Sequence, residues 1–326
     1  MKSIKTLFVV TIFVLLTSSA AMAEAIKLDL NAVYGATSFH TQGAMDFAKR
    51  VEAHSNGSVL ITVHPGGSLG FKGPELLKVV KDGQVPMSDI LMGVVAGSSH
   101  AFGISSLPRL VKSYDEARAL YVDSRPLYEK SARRWNQKLL YAAPWPPSGL
   151  ITKKAIVTRA DIKGIKTRTY DKNGAEFLRA LGAMPLSMPW GEVYASLRTG
   201  MIDSVLTSSE SAKNGKFWEV LSHFEPINYA YPLNMVTINL DYWNALSGDQ
   251  QEAMLKAASE TEAAQWKASQ ARSEEALKAI AAEGITVTPE SPELTAELDA
   301  AAREIQKKFL KKAKKAEKAL LNTYVK

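Results

Sequence analysis

The chain has no cysteine among its 326 residues. Disulfides, thiolate nucleophiles and sulfur-ligated zinc are thereby excluded. Histidine is scarce: His40, His54, His64, His100 and His223 are scattered, with no helical i,i+4 pair and no HExxH run. No metal and no cofactor is expected. The glycine run Gly66-Gly67-Ser68-Leu69-Gly70 lacks the Gly-Lys-Ser/Thr ending of a phosphate-binding loop.

Long apolar runs are missing as well, with one exception at the start. Leu7–Leu16 (LFVVTIFVLL) is too short to span a bilayer. Lys2 and Lys5 precede it, and Ala21-Met22-Ala23 follows as a small-x-small cleavage site. The pattern predicts a signal peptide over residues 1–23, cleaved after Ala23, and a soluble chain exported to a bacterial periplasm. No later stretch is apolar enough for membrane insertion. From Glu24 onward 303 residues remain, which favours two domains over one core.

The formal charge of +7 is concentrated at one end. Residues 301–326 hold nine basic and two acidic residues, so residues 24–300 are close to neutral at −2 once Lys2 and Lys5 are set aside. A nucleic-acid partner is not expected, because no basic face with interleaved aromatics is present. Ile305, Phe309, Ala313, Ala316 and Leu320 recur at helical spacing. They predict a helix docked by an apolar stripe with its lysines in water, rather than a membrane contact.

Periodicity predicts alternating strands and helices. Strands are expected at Ile26–Asn31, Val59–His64, Ser88–Val95, Ile165–Tyr170, Met184–Met188 and Met201–Leu206. Helices are expected at His40–Ala53, from Pro74 to before Gly83, from an Asn173 cap to Leu181, and over Glu192–Arg198. Ser247 and Gln250 form a capping box for a helix over 248–282, roughly 50 Å long and able to span two lobes. Strands separated by helices mean largely parallel sheets, and ligands in such folds sit beyond the carboxyl ends of strands. Three of these ends fall near Arg168, near Pro189-Trp190 and near Thr207-Ser208.

Arg168 carries a planar, permanent charge matched to a carboxylate. Spacing alone favours a structural ion pair for it. Its surroundings point elsewhere. Asp161 to Arg168 (DIKGIKTR), Leu181-Gly182-Ala183, and Pro189 to Asp203 (PWGEVYASLRTGMID) resemble the solute-binding proteins of tripartite ATP-independent periplasmic (TRAP) transporters. The resemblance extends to Pro65–Gly70, Lys81-Asp82-Gly83, Ser106-Leu107-Pro108 and Asn239–Leu246, nearly the whole exported chain. It implies an α/β, two-lobed periplasmic binding protein fold with a ligand cleft between the lobes and a long helix spanning them. Lobe I is expected to comprise 24–146 plus 236–270, and lobe II 147–235 plus 271–326. The resemblance further implies that Arg168 clamps a ligand carboxylate, that Trp190 lies against the ligand, and that the partners are a small organic acid and the membrane permease subunits of a TRAP transporter. Where the family often has Asp-Gly-Gln-Glu-Asn, this chain has Asp203-Ser204-Val205-Leu206-Thr207. Thr207 replaces the usual amide, with Ser208 behind it, and Ser148 stands where some members carry a second basic residue.

Trp145, Tyr34 and Met92 complete the candidate set. Trp145 either stacks on a ligand ring or belongs to the hinge core. Tyr34 either donates its hydroxyl or sits at the rim. Met92 is pocket or core. Thr207 and Ser208 fit simple turn roles too. The leading reading is a binding protein for an organic acid anion, a sugar acid or aromatic acid ahead of a C4-dicarboxylate. The alternatives are a periplasmic enzyme acting on such acids, for which no convincing histidine base is found, and a sensor ectodomain.

Overall fold

The computed structural model describes residues 24–325; the expected leader and its cleavage site lie outside the described residues. Leu28, Leu30 and Ala32 alternate along strand β1 (Ile26–Ala32) and are buried. Helix α1 (Phe39–His54) turns Ala44, Phe47 and Val51 onto them. Strand β2 (Val59–His64), helix α2 (Leu76–Lys81) and strand β3 (Met87–Leu91) repeat the unit. Helix α3 (Tyr114–Arg134), capped by Ser113, leads into β4 (Gln137–Pro144).

The chain then crosses to a second lobe. There it forms β5 (Ser148–Thr152), α4 (Arg159–Ile162), β6 (Lys166–Thr169), α5 (Lys172–Ala180), β7 (Met184–Ser187), α6 (Val193–Arg198), β8 (Ser204–Ser208), α7 (Ser209–Asn214) and β9 (His223–Glu225). It returns through β10 (Leu233–Asn239) and α8 (Leu240–Ala245), and continues as α9 (Gly248–Ala282), β11 (Thr286–Val287), α10 (Pro292–Lys312) and α11 (Lys315–Leu321).

Two sheets result. The first has the order β2-β1-β3-β10-β4 and the second β11-β9-β5-β8-β6-β7. Each contains a strand that reached it by crossing over: β10 runs antiparallel between β3 and β4, and β5 antiparallel between β9 and β8. The crossovers pair with each other, Trp145 N donating to Pro232 O (2.8 Å) and Tyr229 N to Ser148 O (2.8 Å). This is a two-stranded hinge. Helix α9 braces it. Its first half buries Glu262 against Tyr121 and Arg125 of lobe I, and its second half holds Glu210 of α7 through Arg272 at 3.2 Å.

Several boundaries differ from the sequence reading. Strand β3 stops at Leu91 because residues 92–95 wind into a 3-10 turn. Strand β8 starts at Ser204, not Met201, because Gly200 takes a left-handed φ of 73° and Ile202 N still bonds back to Ser196 O. Asp171, not Asn173, caps α5; the Asn173 amide is drawn instead to Gly103 O across the lobes at 2.9 Å. Sheet one includes Leu233, and α11 packs on α3 and against α10. Ala316 is exposed, because α10 ends at Lys312 and the helical phase restarts at Lys315.

Candidate functional site

A cavity of about 250 Å³ lies between the lobes at the carboxyl ends of the lobe II strands. Arg168, on β6, is its principal charge. The β6–β8 register sets Arg168 beside Val205, which brings Thr207 and Ser208 to the same end of the sheet. Ser148 pairs with Ser208 across β5 and β8. Trp190 follows β7 on a 3-10 turn, with the Arg168 guanidinium 5.9 Å from its ring centre. Tyr34 comes from lobe I just after β1, and Trp145 from the hinge. All seven residues line the one cavity.

Met92 does not. The 3-10 turn after β3 rotates its side chain fully into the lobe I core, and Leu91 and Val94 face the cavity in its place. This outcome corrects the pocket placement of Met92 and matches its core alternative.

Arg168 is only 4 % exposed, yet among the described residues no carboxylate lies within ion-pair distance of it. Its Nε and Nη2 donate to the Met188 carbonyl at 3.2 and 3.1 Å. That bond fixes the plane of the fork and leaves the remaining guanidinium edge uncommitted. Burial lowers its pKa to about 10, a fall restrained by Tyr34, Tyr170 and Asp171, so it remains a cation at neutral pH.

The walls are mainly apolar, with polar groups at chosen points. Tyr34 and Trp145 meet edge to face, ring centres 5.0 Å apart. Behind them Trp145 Nε1 donates to Asn234 Oδ1 (2.8 Å), and Asn234 Nδ2 to buried Asp89 (2.8 Å). His40 lies 4.3 Å from the Trp145 ring, and burial pushes it down to about 3, so it is neutral. This buried network holds the aromatic wall rigid. Ser148 Oγ lies 3.3 Å from the Tyr170 hydroxyl. Ser208 Oγ accepts from Ser211 N (3.1 Å) and donates to Ser211 Oγ (3.0 Å), so this hydroxyl is committed to capping α7.

Two further lining residues were not named from sequence. Tyr170 shares a strand face with Arg168, a signal present in the alternation itself. Asp171 sits between a strand and a helix, a position that marks a cap. Its Oδ1 accepts from Gly174 N (2.7 Å), and burial raises its pKa to about 6, a rise restrained by Ser106 and the Gly174 amide.

Gly66-Gly67-Ser68-Leu69-Gly70 has the residue spacing of a nucleophile elbow but not its geometry. Pro65–Gly67 form a 3-10 turn, Ser68 is exposed, and among the described residues no histidine bonds its hydroxyl.

Two lobes, crossed hinge strands and a buried arginine facing a cavity between the lobes define a periplasmic-type solute-binding protein. The comparison with known families makes this specific: residues 30–313 match the bacterial extracellular solute-binding protein family 7, DctP, and the chain belongs to that family, the solute receptors of TRAP transporters. It is 27 % identical over 293 residues to the C4-dicarboxylate-binding periplasmic protein DctP of Rhodobacter capsulatus, covering 88 % of this chain and 86 % of that one. Among solved structures it is similar to a marine metagenome TRAP solute-binding protein specific for pyroglutamate (TM-score 0.89, 32 % identity, 93 % of this chain and 99 % of that one). It is also similar to DctP7 of Bordetella pertussis, a receptor binding pyroglutamic acid (TM-score 0.90, 29 % identity, 93 % and 100 % covered).

Proposed function

We propose that this protein captures a small cyclic monocarboxylic acid of the pyroglutamate type in the periplasm and delivers it, unchanged, to a TRAP permease. The observation that carries this reading is Arg168: a buried cation with no carboxylate within ion-pair distance among the described residues, presenting one free guanidinium edge to the cavity between the lobes. A ligand carboxylate supplies the missing charge. A second carboxylate has no buried cation to meet, and Asp171 beside Arg168 repels it, which disfavours a C4-dicarboxylate. The largely apolar walls disfavour a polyol such as a sugar acid, whose hydroxyls would lose water without replacement. We read the aromatic lining of Trp190, Tyr34 and Trp145 as stacking surface for a flat ring, with Ser148, Tyr170 and Thr207 as hydroxyl partners for a ring amide. Because the lining comes from both lobes, ligand favours the closed state and the lobes close by population shift.

Calorimetric titration with pyroglutamate, glucuronate, benzoate and succinate tests the reading. The protein should be purified from the periplasm and refolded free of carried-over ligand. Pyroglutamate is expected to bind most tightly, and Arg168→Ala to weaken it about a hundredfold or more. Recovery of the acid unaltered by NMR separates a receptor from an enzyme. Tightest binding of succinate or glucuronate would overturn the ligand class, and unchanged affinity in Arg168→Ala would overturn the clamp.

A further inference from the structure

The C-terminal segment carries most of the charge of the chain, and the structure shows what becomes of it. The apolar side of α10 and α11 is consumed by packing. Ile305, Phe309 and Ala313 are buried, and Phe309 stacks on His100 of lobe I at 3.8 Å. One of the two negative charges is withdrawn and the other is paired at the surface. Glu317 turns inward to His100 at 2.9 Å, and Glu304 is taken up by Lys308 at 2.6 Å. What remains outward is cationic in excess, with Glu304 the one exposed acid among the lysines of residues 301–325. Helix α10 exposes Arg303, Lys307, Lys311 and Lys312; after the break at Ala313, the α11 end adds Lys314, Lys315 and Lys318. The strip is held on both lobes, because α10 packs on α5 and α11 on α3. Against a body carrying −2 over residues 24–300, it is a one-sided cationic face.

We infer that this strip is a docking face for an anionic lipid surface, on which the receptor rests by charge alone. Its composition selects the partner. Lysine outnumbers arginine six to one among these exposed cations, and no aromatic side chain stands among them. Protein interfaces are enriched in arginine and aromatics and poor in lysine. A lysine-rich helical face without an apolar edge suits a diffuse layer of phosphate headgroups, where each cation contributes independently and nothing is inserted. Such adsorption holds a receptor at the bilayer surface while leaving the cleft residues, which lie on other elements, free to bind.

The test is sedimentation of the periplasmically purified protein with vesicles of phosphatidylglycerol mixed into phosphatidylcholine, and with phosphatidylcholine alone. The protein should sediment with the anionic vesicles only, and lose binding as salt is raised. A variant with Lys307, Lys311, Lys315 and Lys318 all changed to Gln should bind those vesicles roughly a thousandfold more weakly. All four side chains are exposed, and an unchanged Tm and ligand affinity in the variant confirm that its fold and cleft are intact. Failure of the protein to sediment with anionic vesicles at low salt overturns the proposal, as does equal binding to neutral vesicles or by the variant. Binding by the strip to the detergent-solubilised permease, without vesicle binding, would assign it to an acidic protein surface instead.

Discussion

Asp171 of lobe II closes directly on Gly93 of lobe I: a Cβ built on Gly93 would lie 2.5 Å from Asp171 Oδ2 and 3.1 Å from Ser106 Oγ. The two residues come from opposite sides of the cleft, and Asp171 is a neighbour of the cavity arginine. A glycine at 93 is required by this approach rather than by its backbone angle, since Gly93 is not among the glycines with positive φ.

Gly93→Ala is therefore expected to hold the lobes apart without unfolding either. Ligand affinity should fall about tenfold, the cost of one clash relieved by partial opening. Small-angle scattering at saturating ligand should show the variant remaining more extended than the parent. Asp171→Ser in the same chain shortens the intruding side chain while keeping a capping oxygen for α5, and should restore closure. Normal closure in Gly93→Ala would show that the contact is not limiting.

Arg168 separates stability from function. The fold buries this cation against a single carbonyl, an arrangement that costs free energy until a ligand arrives. Arg168→Met keeps an unbranched, though shorter, side chain and removes the charge. The ligand-free variant should be more stable by about 1 kcal/mol, read from chemical denaturation, while binding is lost. Arg168→Lys keeps the charge but not the fork and should weaken binding by about tenfold or more. A marked loss of stability in Arg168→Met would assign Arg168 a structural role.

Buried carboxyls set the pH dependence of stability. Burial raises Asp89 to about 7, Glu225 to about 7 and Asp171 to about 6. The folded protein thus holds protons that the unfolded chain, with carboxyl pKa values near about 4, has released. Their stabilisation is complete below the unfolded pKa and is lost as pH rises through the folded values. Tm should fall between about pH 4 and pH 7, each group contributing at most about 1.4 kcal/mol per pH unit within its window. Asp89→Asn keeps the oxygen that accepts from Asn234 and should flatten the profile. A Tm rising over that range, or an unaltered profile in Asp89→Asn, would contradict the assignment.

Local rules reached far in this chain and stopped where the two lobes meet. Helix α9 begins after Ser247 and ends at Ala282 as its capping box and Gly284 foretell, because both signals act within a few residues. Arg168, Trp190 and Thr207 converge because strand ends in a parallel sheet share one side. Met92 failed as a cavity residue because a single 3-10 turn exchanges the inward and outward faces of the backbone, and apolar sequence looks the same on both. Asn173 followed by Glu176 has the spacing of a capping box, yet Asp171 takes the cap; the Gly103 carbonyl that claims Asn173 is 70 residues away. The buried Asp89–Asn234–Trp145 chain likewise joins three separate strands and segments, and no local pattern announces it.

Lys72 and Lys172 stand exposed on the cavity lining, one from each lobe. Neither is buried enough to clamp a ligand, so their effect should be on arrival rather than on residence. Changing both to Glu should slow association several-fold at low salt, leave dissociation nearly unchanged, and lose its effect as ionic strength rises. Stopped-flow fluorescence, with Trp145 and Trp190 beside the cavity as reporters, resolves the two rates. An effect confined to dissociation and insensitive to salt would instead make these lysines direct ligand contacts and Arg168 only one of several clamps.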